Sequence, residues 1–252
     1  MNTAIITGAG AGLGLEFVRR LEQDFPEVEQ VWLIGRTASR LEDAAALLQR
    51  AKGRVIPLDL CTLPDLEALE RLLQEEKPRV TLLVNNAGRG ALGNIGEEPW
   101  NVQTAMVDLN VRALTAVCTM TVPYLAEGGC VINLSSIASF CPNPRMTVYS
   151  ATKFYVSAFS RGLGEELKGK GITVTAVCPG PMDTAFLDAG EIRGNSKMFE
   201  MLPYCDPVKV AKGAFAAVKA GRAVYTPRGF FKFYRVLAKV LPQRLMVKFT
   251  KT

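Results

Sequence analysis

The chain has 252 residues, 48% of them hydrophobic, and no histidine. That length and apolar content suit one large α/β domain with a substantial core, and the missing histidine excludes His-based triads and most zinc sites, leaving Tyr, Lys, Asp, Glu or Cys with a shifted pKa for proton chemistry. The formal charge of +6 is uneven: residues 207–252 hold eleven Lys and Arg and no Asp or Glu, against nineteen basic and 24 acidic residues before them, which describes a local basic surface on a mildly acidic body and argues against a nucleic-acid partner.

Apolar, strand-like residues begin at Ala4, leaving no room for the basic and apolar regions of a signal peptide. Short runs rich in β-branched residues predict strands at residues 3–7, 31–34, 54–57, 80–85, 130–135, 172–178 and 223–226. Longer patterns between them predict helices at about 13–24, 39–51, 65–76, 101–126, 148–169 and 207–220. This alternation predicts a Rossmann-type doubly wound α/β fold: a parallel sheet of about seven strands with helices on both faces. No stretch offers the roughly 18 uninterrupted apolar residues of a membrane span; the richest, 111–126, is broken by Arg112 and threonines. Cys61, Cys118, Cys130, Cys141, Cys178 and Cys205 include no C-x-x-C pair and read as free thiols of a cytoplasmic chain. The whole of residues 1–252 reads as one domain, in which 181–207 is long for a connection and suggests a lid.

Strand 3–7 runs into Thr7-Gly8-Ala9-Gly10-Ala11-Gly12-Leu13-Gly14. Glycines between a strand end and a helix start let the backbone approach a pyrophosphate, and the helix N-terminus offers N–H groups to it. The second strand ends Gly35-Arg36-Thr37. In dinucleotide sites of this type an acidic residue here bonds the ribose 2′-OH of NAD; Gly35 followed by Arg36 suits the 2′-phosphate of NADP(H) instead, by charge and fork geometry. Thr37, Ser39 and Arg40 add polar groups beside it.

Tyr149-Ser-Ala-Thr-Lys153 places a phenol and an ammonium four residues apart, on one face of a helix. Alone this pair is a weak motif. It gains weight from Ser136 thirteen residues before Tyr149, Asn85-Asn86-Ala87-Gly88 at a strand end, Asn110 in a long helix, and Pro179-Gly180 after the sixth strand, because open parallel sheets bind ligands at such strand ends. In order and spacing these features resemble the short-chain dehydrogenase/reductase family across nearly the whole chain, and the glycine spacing of Gly8, Gly12 and Gly14 resembles its cofactor loop. The resemblance implies an NADP(H)-dependent oxidoreductase that interconverts a small-molecule carbonyl and an alcohol. It implies that Tyr149 exchanges a proton with the carbonyl oxygen, its pKa lowered by Lys153 and the oxidised nicotinamide, that Lys153 holds the nicotinamide ribose, and that Ser136, with Ser135 as rival, donates a hydrogen bond to the substrate oxygen. Asn110 is implied to hold a water of a proton relay. Cofactor contacts implied are Gly8, Gly12, Leu13, Gly14, Arg36, Thr37, Asp59 and Leu60 at the adenine end, Asn86, Ala87 and Gly88 along the cofactor, and Tyr149, Lys153, Pro179, Gly180, Met182 and Thr184 at the nicotinamide end; no metal is implied. Arg89, where small or apolar residues are common, is a departure without an assigned role.

Residues 181–207 contain Met182, Phe186, Leu187, Met198, Phe199, Met201, Leu202 and Tyr204, which points to an apolar substrate such as a steroid, fatty-acyl or aromatic carbonyl. Phe140, Pro142, Asn143 and Met146 are expected to line the same pocket. In the basic segment 229–252, Lys232, Arg235 and Lys239 fall on one helical face and Phe230, Phe233, Tyr234, Leu237 and Leu241 mainly on the other. The expectation is that this stripe packs on the domain and contributes to a homodimer or homotetramer or to the wall of the substrate cleft, with an anionic membrane surface as the alternative. The tail, with its Leu-Pro-Gln-Arg-Leu, resembles the bacterial steroid dehydrogenase-like branch. A non-catalytic NADP(H)-sensing protein on the same fold is the rival reading, and the complete Asn110, Ser136, Tyr149 and Lys153 set argues against it.

Overall fold

The computed structural model describes residues 1–250. Seven strands, β1 (Asn2–Thr7), β2 (Gln30–Gly35), β3 (Lys52–Pro57), β4 (Arg79–Asn85), β5 (Leu125–Leu134), β6 (Thr173–Val177) and β7 (Val224–Tyr225), form one sheet in the order β3-β2-β1-β4-β5-β6-β7. Every neighbouring pair is parallel. The winding direction reverses between β1 and β4, the switch point at which such sheets take ligands. Each strand alternates its side chains between two cores. Ala4 and Ile6 of β1 with Val31 and Leu33 of β2 join Phe17, Leu21, Phe215 and Val218 on one face. Ile5, Trp32 and Ile34 join Leu66, Leu69, Leu73 and Val156 on the other.

The helices that supply those faces are α1 (Gly12–Asp24) and α9 (Pro207–Lys219) on one side, and α3 (Leu63–Glu76), α5 (Leu114–Thr121) and α6 (Thr147–Leu167) on the other. Short α2 (Ala38–Ala45) packs along β3 and β2. The fold is the expected one, with three local differences. The helix expected over 101–126 is a helical run from Trp100 to Tyr124 made of α4 (Trp100–Val107), a π-helical turn (Asp108–Ala113), α5 and a final 3₁₀ turn. It ends earlier than expected because β5 begins at Leu125. By length and composition alone this run is able to span a bilayer. Here Met106, Ala113, Leu114, Val117 and Cys118 bury one face in the protein, and its π turn brings Asn110 to the strand ends. Second, the lid region folds locally into α7 (Ala185–Ala189) and α8 (Lys197–Met201). Third, the C-terminal segment is two helices, α10 (Gly229–Val240) and α11 (Gln243–Phe249), broken at Pro242, which cannot continue a helix; Lys251 and Thr252 lie outside the described residues.

The packed edge of α10 also differs from the expected stripe. Phe231 is fully buried and belongs to the main core, whereas Phe230 and Phe233 are 55% and 67% exposed. Gly180 explains the choice: a Cβ there would come within 2.2 Å of the Phe231 ring, so the missing side chain makes the slot that the ring fills. Tyr234, Leu237, Ala238 and Met246 extend this contact into a small cluster around Cys141 and Phe140.

Candidate active site

A cleft of about 1200 Å³ runs along the C-terminal strand ends. The glycine loop forms one end. Gly8 and Gly12 hold φ of +65° and +52°, where a Cβ is strained. Gly12 opens α1, whose first turn has no side-chain cap, leaving N–H groups directed at the cleft in an arrangement suited to an anion. Gly14 does not line the cleft. A Cβ there would sit 2.0 Å from the Gly8 carbonyl oxygen, so its part is to let α1 lie against the loop.

Asn86 braces that loop from β4: its Nδ2 donates to the carbonyls of Thr7 and Gly8 at 3.2 and 3.1 Å. The Thr7 hydroxyl in turn accepts the N–H groups of Asn86 and Ala87. This β1–β4 clasp at the switch point had one sequence signal, the Thr before Gly8. A second support was not legible: a buried ladder in which Asn85 Nδ2 donates to Asn133 Oδ1 at 2.9 Å and Asn133 Nδ2 donates to Ser160 Oγ at 3.0 Å. Beside the loop, Arg36 and Thr37 come from the β2–α2 turn and Arg40 from the first turn of α2, and Asp59 and Leu60 follow the end of β3. Arg40 packs its Cβ against Gly10, which places it nearer the loop than sequence reading did.

At the other end Ser136, Tyr149 and Lys153 meet. Lys153 Nζ donates to the Leu134 carbonyl at 2.7 Å and lies 5.7 Å from the centre of the Tyr149 ring. All three residues are buried among protein atoms yet line the cleft. The two serines differ in their partners. Ser135 donates to the Lys153 carbonyl and shares a hydrogen bond with Ser157, so its hydroxyl is committed to holding α6. Ser136 accepts from Ala138 N at 3.1 Å, and its hydroxyl lies in hydrogen-bonding reach of the Tyr149 phenol.

Asn110 stands behind the wall instead of in it. Its Oδ1 accepts from Arg89 N at 2.9 Å, and its Nδ2 donates to Arg89 O at 2.8 Å and to Thr152 Oγ1 at 3.1 Å. Both amide hydrogens are thus used, and the side chain serves as a clamp on the turn at Gly88 and Arg89. A Cβ on Gly88 would approach Asn110 Oδ1 to 3.2 Å, a tight contact, and Lys153 Nζ to 3.5 Å, an ordinary one, so this turn lies close beside the lysine. Arg89 is half-buried and reaches the cleft wall.

Burial dominates the electrostatics. It pushes the Tyr149 phenol up to about 12, with the neighbouring Ser136 hydroxyl acting in the opposite sense. It pushes Lys153 down to about 8. The lowered phenol expected from sequence is therefore reversed in the chain by itself, because desolvation of the phenolate outweighs its neighbours. The lysine shift has a testable sign. Between about pH 8 and 10.5 the folded chain releases a proton that the unfolded chain keeps, so stability rises with pH there. Relative to Lys153→Met, which never titrates, the parent is expected to gain thermal stability across that window and to run parallel below it. A constant difference in Tm at all pH values contradicts a buried ammonium.

Pro179, Gly180, Met182 and Thr184 follow β6 into the cleft, with Thr184 close to Gly12. Of the lid residues, Met182, Phe186, Leu187, Met198, Phe199, Met201 and Leu202 line it, and Tyr204 packs behind. The Phe186 ring lies 5.9 Å from that of Tyr149. Asn143 and Met146 line it as expected; Phe140 and Pro142 do not. Phe140 turns to Tyr234, at 6.1 Å between rings, and the Pro142 carbonyl accepts from Thr250 Oγ1. Phe230, Phe231, Tyr234, Leu237, Leu241, Met246 and Thr250 of the tail also line the cleft, as expected of a segment that contributes to its wall.

Residues 2–191 match the family model described as short chain dehydrogenase. An uncharacterized oxidoreductase of Staphylococcus aureus strain USA300 is 30% identical, over 74% of this chain and 80% of its own. Among solved structures, a short-chain dehydrogenase from Sphingobium yanoikuyae in complex with NADPH is 26% identical with a TM-score of 0.80, covering 96% of both chains. A bulky-bulky ketone specific alcohol dehydrogenase from Comamonas testosteroni is 27% identical with a TM-score of 0.77, covering 98% of this chain and 94% of that one.

Proposed function

The chain belongs to the short-chain dehydrogenase family, and from that premise we propose that it is an NADP(H)-dependent oxidoreductase interconverting a bulky apolar carbonyl compound and its alcohol. The observation that carries this reading is the meeting of Ser136, Tyr149 and Lys153 at one end of a cleft whose other end is the glycine loop. The NADPH in the Sphingobium structure and the bulky ketones named for the Comamonas enzyme agree with it.

The residues present fit the cofactor. Gly8, Gly12 and Leu13, with the uncapped start of α1, hold the pyrophosphate; Gly14 and Asn86 keep that loop in shape. Arg36, with Thr37 and Arg40, meets the 2′-phosphate, and no acidic residue stands at Gly35 to repel it. Asp59 and Leu60 border the adenine, Ala87 and Gly88 the middle of the cofactor, and Pro179, Gly180, Met182 and Thr184 the nicotinamide. When bound, the nicotinamide supplies or accepts the hydride. At neutral pH the raised Tyr149 pKa keeps the proton on the phenol, the state that gives a proton to a carbonyl oxygen during reduction. Ser136 donates to the same oxygen, where negative charge develops. Lys153, still largely charged at neutral pH, holds the ribose, and its ammonium stabilises the phenolate left when Tyr149 gives up its proton. Asn110 fixes the turn at Gly88 and Arg89 against Lys153, and the second lone pair of its Oδ1 still allows it the expected relay water. A homo-oligomeric state and a cytoplasmic setting complete the reading. The apolar lining favours steroid, fatty-acyl or aromatic carbonyls over small polar ones.

Cofactor choice provides the test. Gly35→Asp combined with Arg36→Ala is expected to reverse preference toward NAD(H), by removing a cation from the 2′-phosphate and adding an acceptor for the 2′-hydroxyl. Steady-state kcat/KM with both cofactors checks it; a parent enzyme that already prefers NAD(H) rules out the assignment of Arg36.

A further inference from the structure

Helix α10 carries more apolar surface than the domain covers. At roughly 100° per residue, Phe231, Tyr234 and Ala238 face the protein. Arg235, Lys239 and Lys232 follow on one flank. The arc beyond them is apolar again and open: Val236 is 60%, Val240 74% and Phe233 67% exposed. Leu245 of the following helix α11 is also exposed, at 49%, as are Arg244 and Lys248 on the same short helix. No Asp or Glu occurs after Asp206.

We propose that this face docks on an anionic lipid bilayer, with α10 lying in the headgroup region. An apolar arc bordered by Lys and Arg is the composition that interfacial helices use, the apolar residues entering the acyl boundary while the cations meet lipid phosphates. Charge decides against a second copy as the occupant. A two-fold contact lays the patch on itself, which brings Lys232 and Lys239 of both copies into one interface with no acidic residue in the segment to answer them. The patch is also continuous with the cleft: Phe230, Leu237 and Leu241 border the open arc and line the cleft, as does Met201, which is 84% exposed. The apolar surface therefore runs from the bilayer side of α10 into the site. Entry of the carbonyl substrate from the membrane rests on the oxidoreductase reading above; the docking itself does not.

The test uses the full chain and vesicles of phosphatidylcholine with or without phosphatidylglycerol. The parent is expected to co-sediment with the phosphatidylglycerol vesicles and to be released by salt, which screens the cations. Phe233→Ser/Val236→Ser/Val240→Ser changes only exposed residues outside the cleft. It is expected to weaken that binding by roughly tenfold or more, while Tm and turnover of a small water-soluble ketone stay as in the parent. Lys232→Glu/Lys239→Glu leaves the apolar arc intact and is expected to abolish the preference for anionic vesicles. The proposal is overturned if the parent ignores phosphatidylglycerol vesicles, if both variants bind as the parent does, or if light scattering shows the triple variant falling to a smaller oligomer, which assigns the face to a second copy. Vesicle binding without turnover of any ketone leaves the docking intact and removes the oxidoreductase reading instead.

Discussion

Tyr149→Phe is expected to lower kcat by roughly 10²–10⁴-fold, the range that general acid–base catalysis supplies, while NADPH affinity stays within about threefold. The substitution removes one oxygen and leaves the ring that packs against Phe186 at 5.9 Å, so the pocket and the Lys153 contact to Leu134 are kept. Loss of turnover with intact cofactor binding is the signature of a group that acts in the chemical step. Turnover within tenfold of the parent means that the proton comes from elsewhere. Ser136, whose hydroxyl stands beside the Tyr149 phenol, is then the nearest candidate.

Phe231→Ala is expected to destabilise the fold by about 3–5 kcal/mol, the usual range for deleting a buried aromatic ring. That is a large share of the roughly 5–15 kcal/mol that holds a protein folded, and it corresponds to a fall in Tm on the order of 10 °C. The ring has no exposed surface and fills the slot over Gly180, so truncation opens a cavity that a glycine backbone is poorly placed to refill. Because Phe231 also lines the cleft, KM for bulky apolar ketones is expected to rise while KM for a small ketone moves little. Thermal melts and kinetics with one ketone of each size check both parts. Unchanged Tm contradicts the packing of α10. By contrast Phe233→Ala, on the open face, is expected to leave Tm within about 1 °C.

The strand–helix alternation and the residues at strand ends were legible because each rests on local chemistry: a glycine run after Thr7, an unpaired Arg after Gly35, a Tyr and a Lys one helical turn apart. What was missed depends on contacts between distant segments. The glycines show the difference. Gly8 and Gly12 need their φ values, which a turn signal announces; Gly14 is bare because of the Gly8 carbonyl and Gly180 because of Phe231, and only the assembled fold reveals the second reason. Asn110 was legible as a site residue, but its clamp on Arg89 arises from a π turn that nothing in the residues of 101–126 announces. In the tail, the helical period separated basic from apolar faces correctly. It had no means of saying which part of a wide apolar arc the domain would cover, and Phe231 was passed over for Phe230 and Phe233.

Hydride transfer itself is the most direct measurement. The purified chain is incubated with a bulky apolar ketone and NADPH deuterated at its transferable position, and the alcohol is analysed by mass spectrometry. One deuterium on the carbinol carbon is expected from the parent, with none from Tyr149→Phe over the same time. An alcohol without deuterium contradicts direct hydride transfer from NADPH, and no alcohol from any member of a ketone panel while NADPH still binds contradicts an oxidoreductase and favours a cofactor-sensing protein on the same fold.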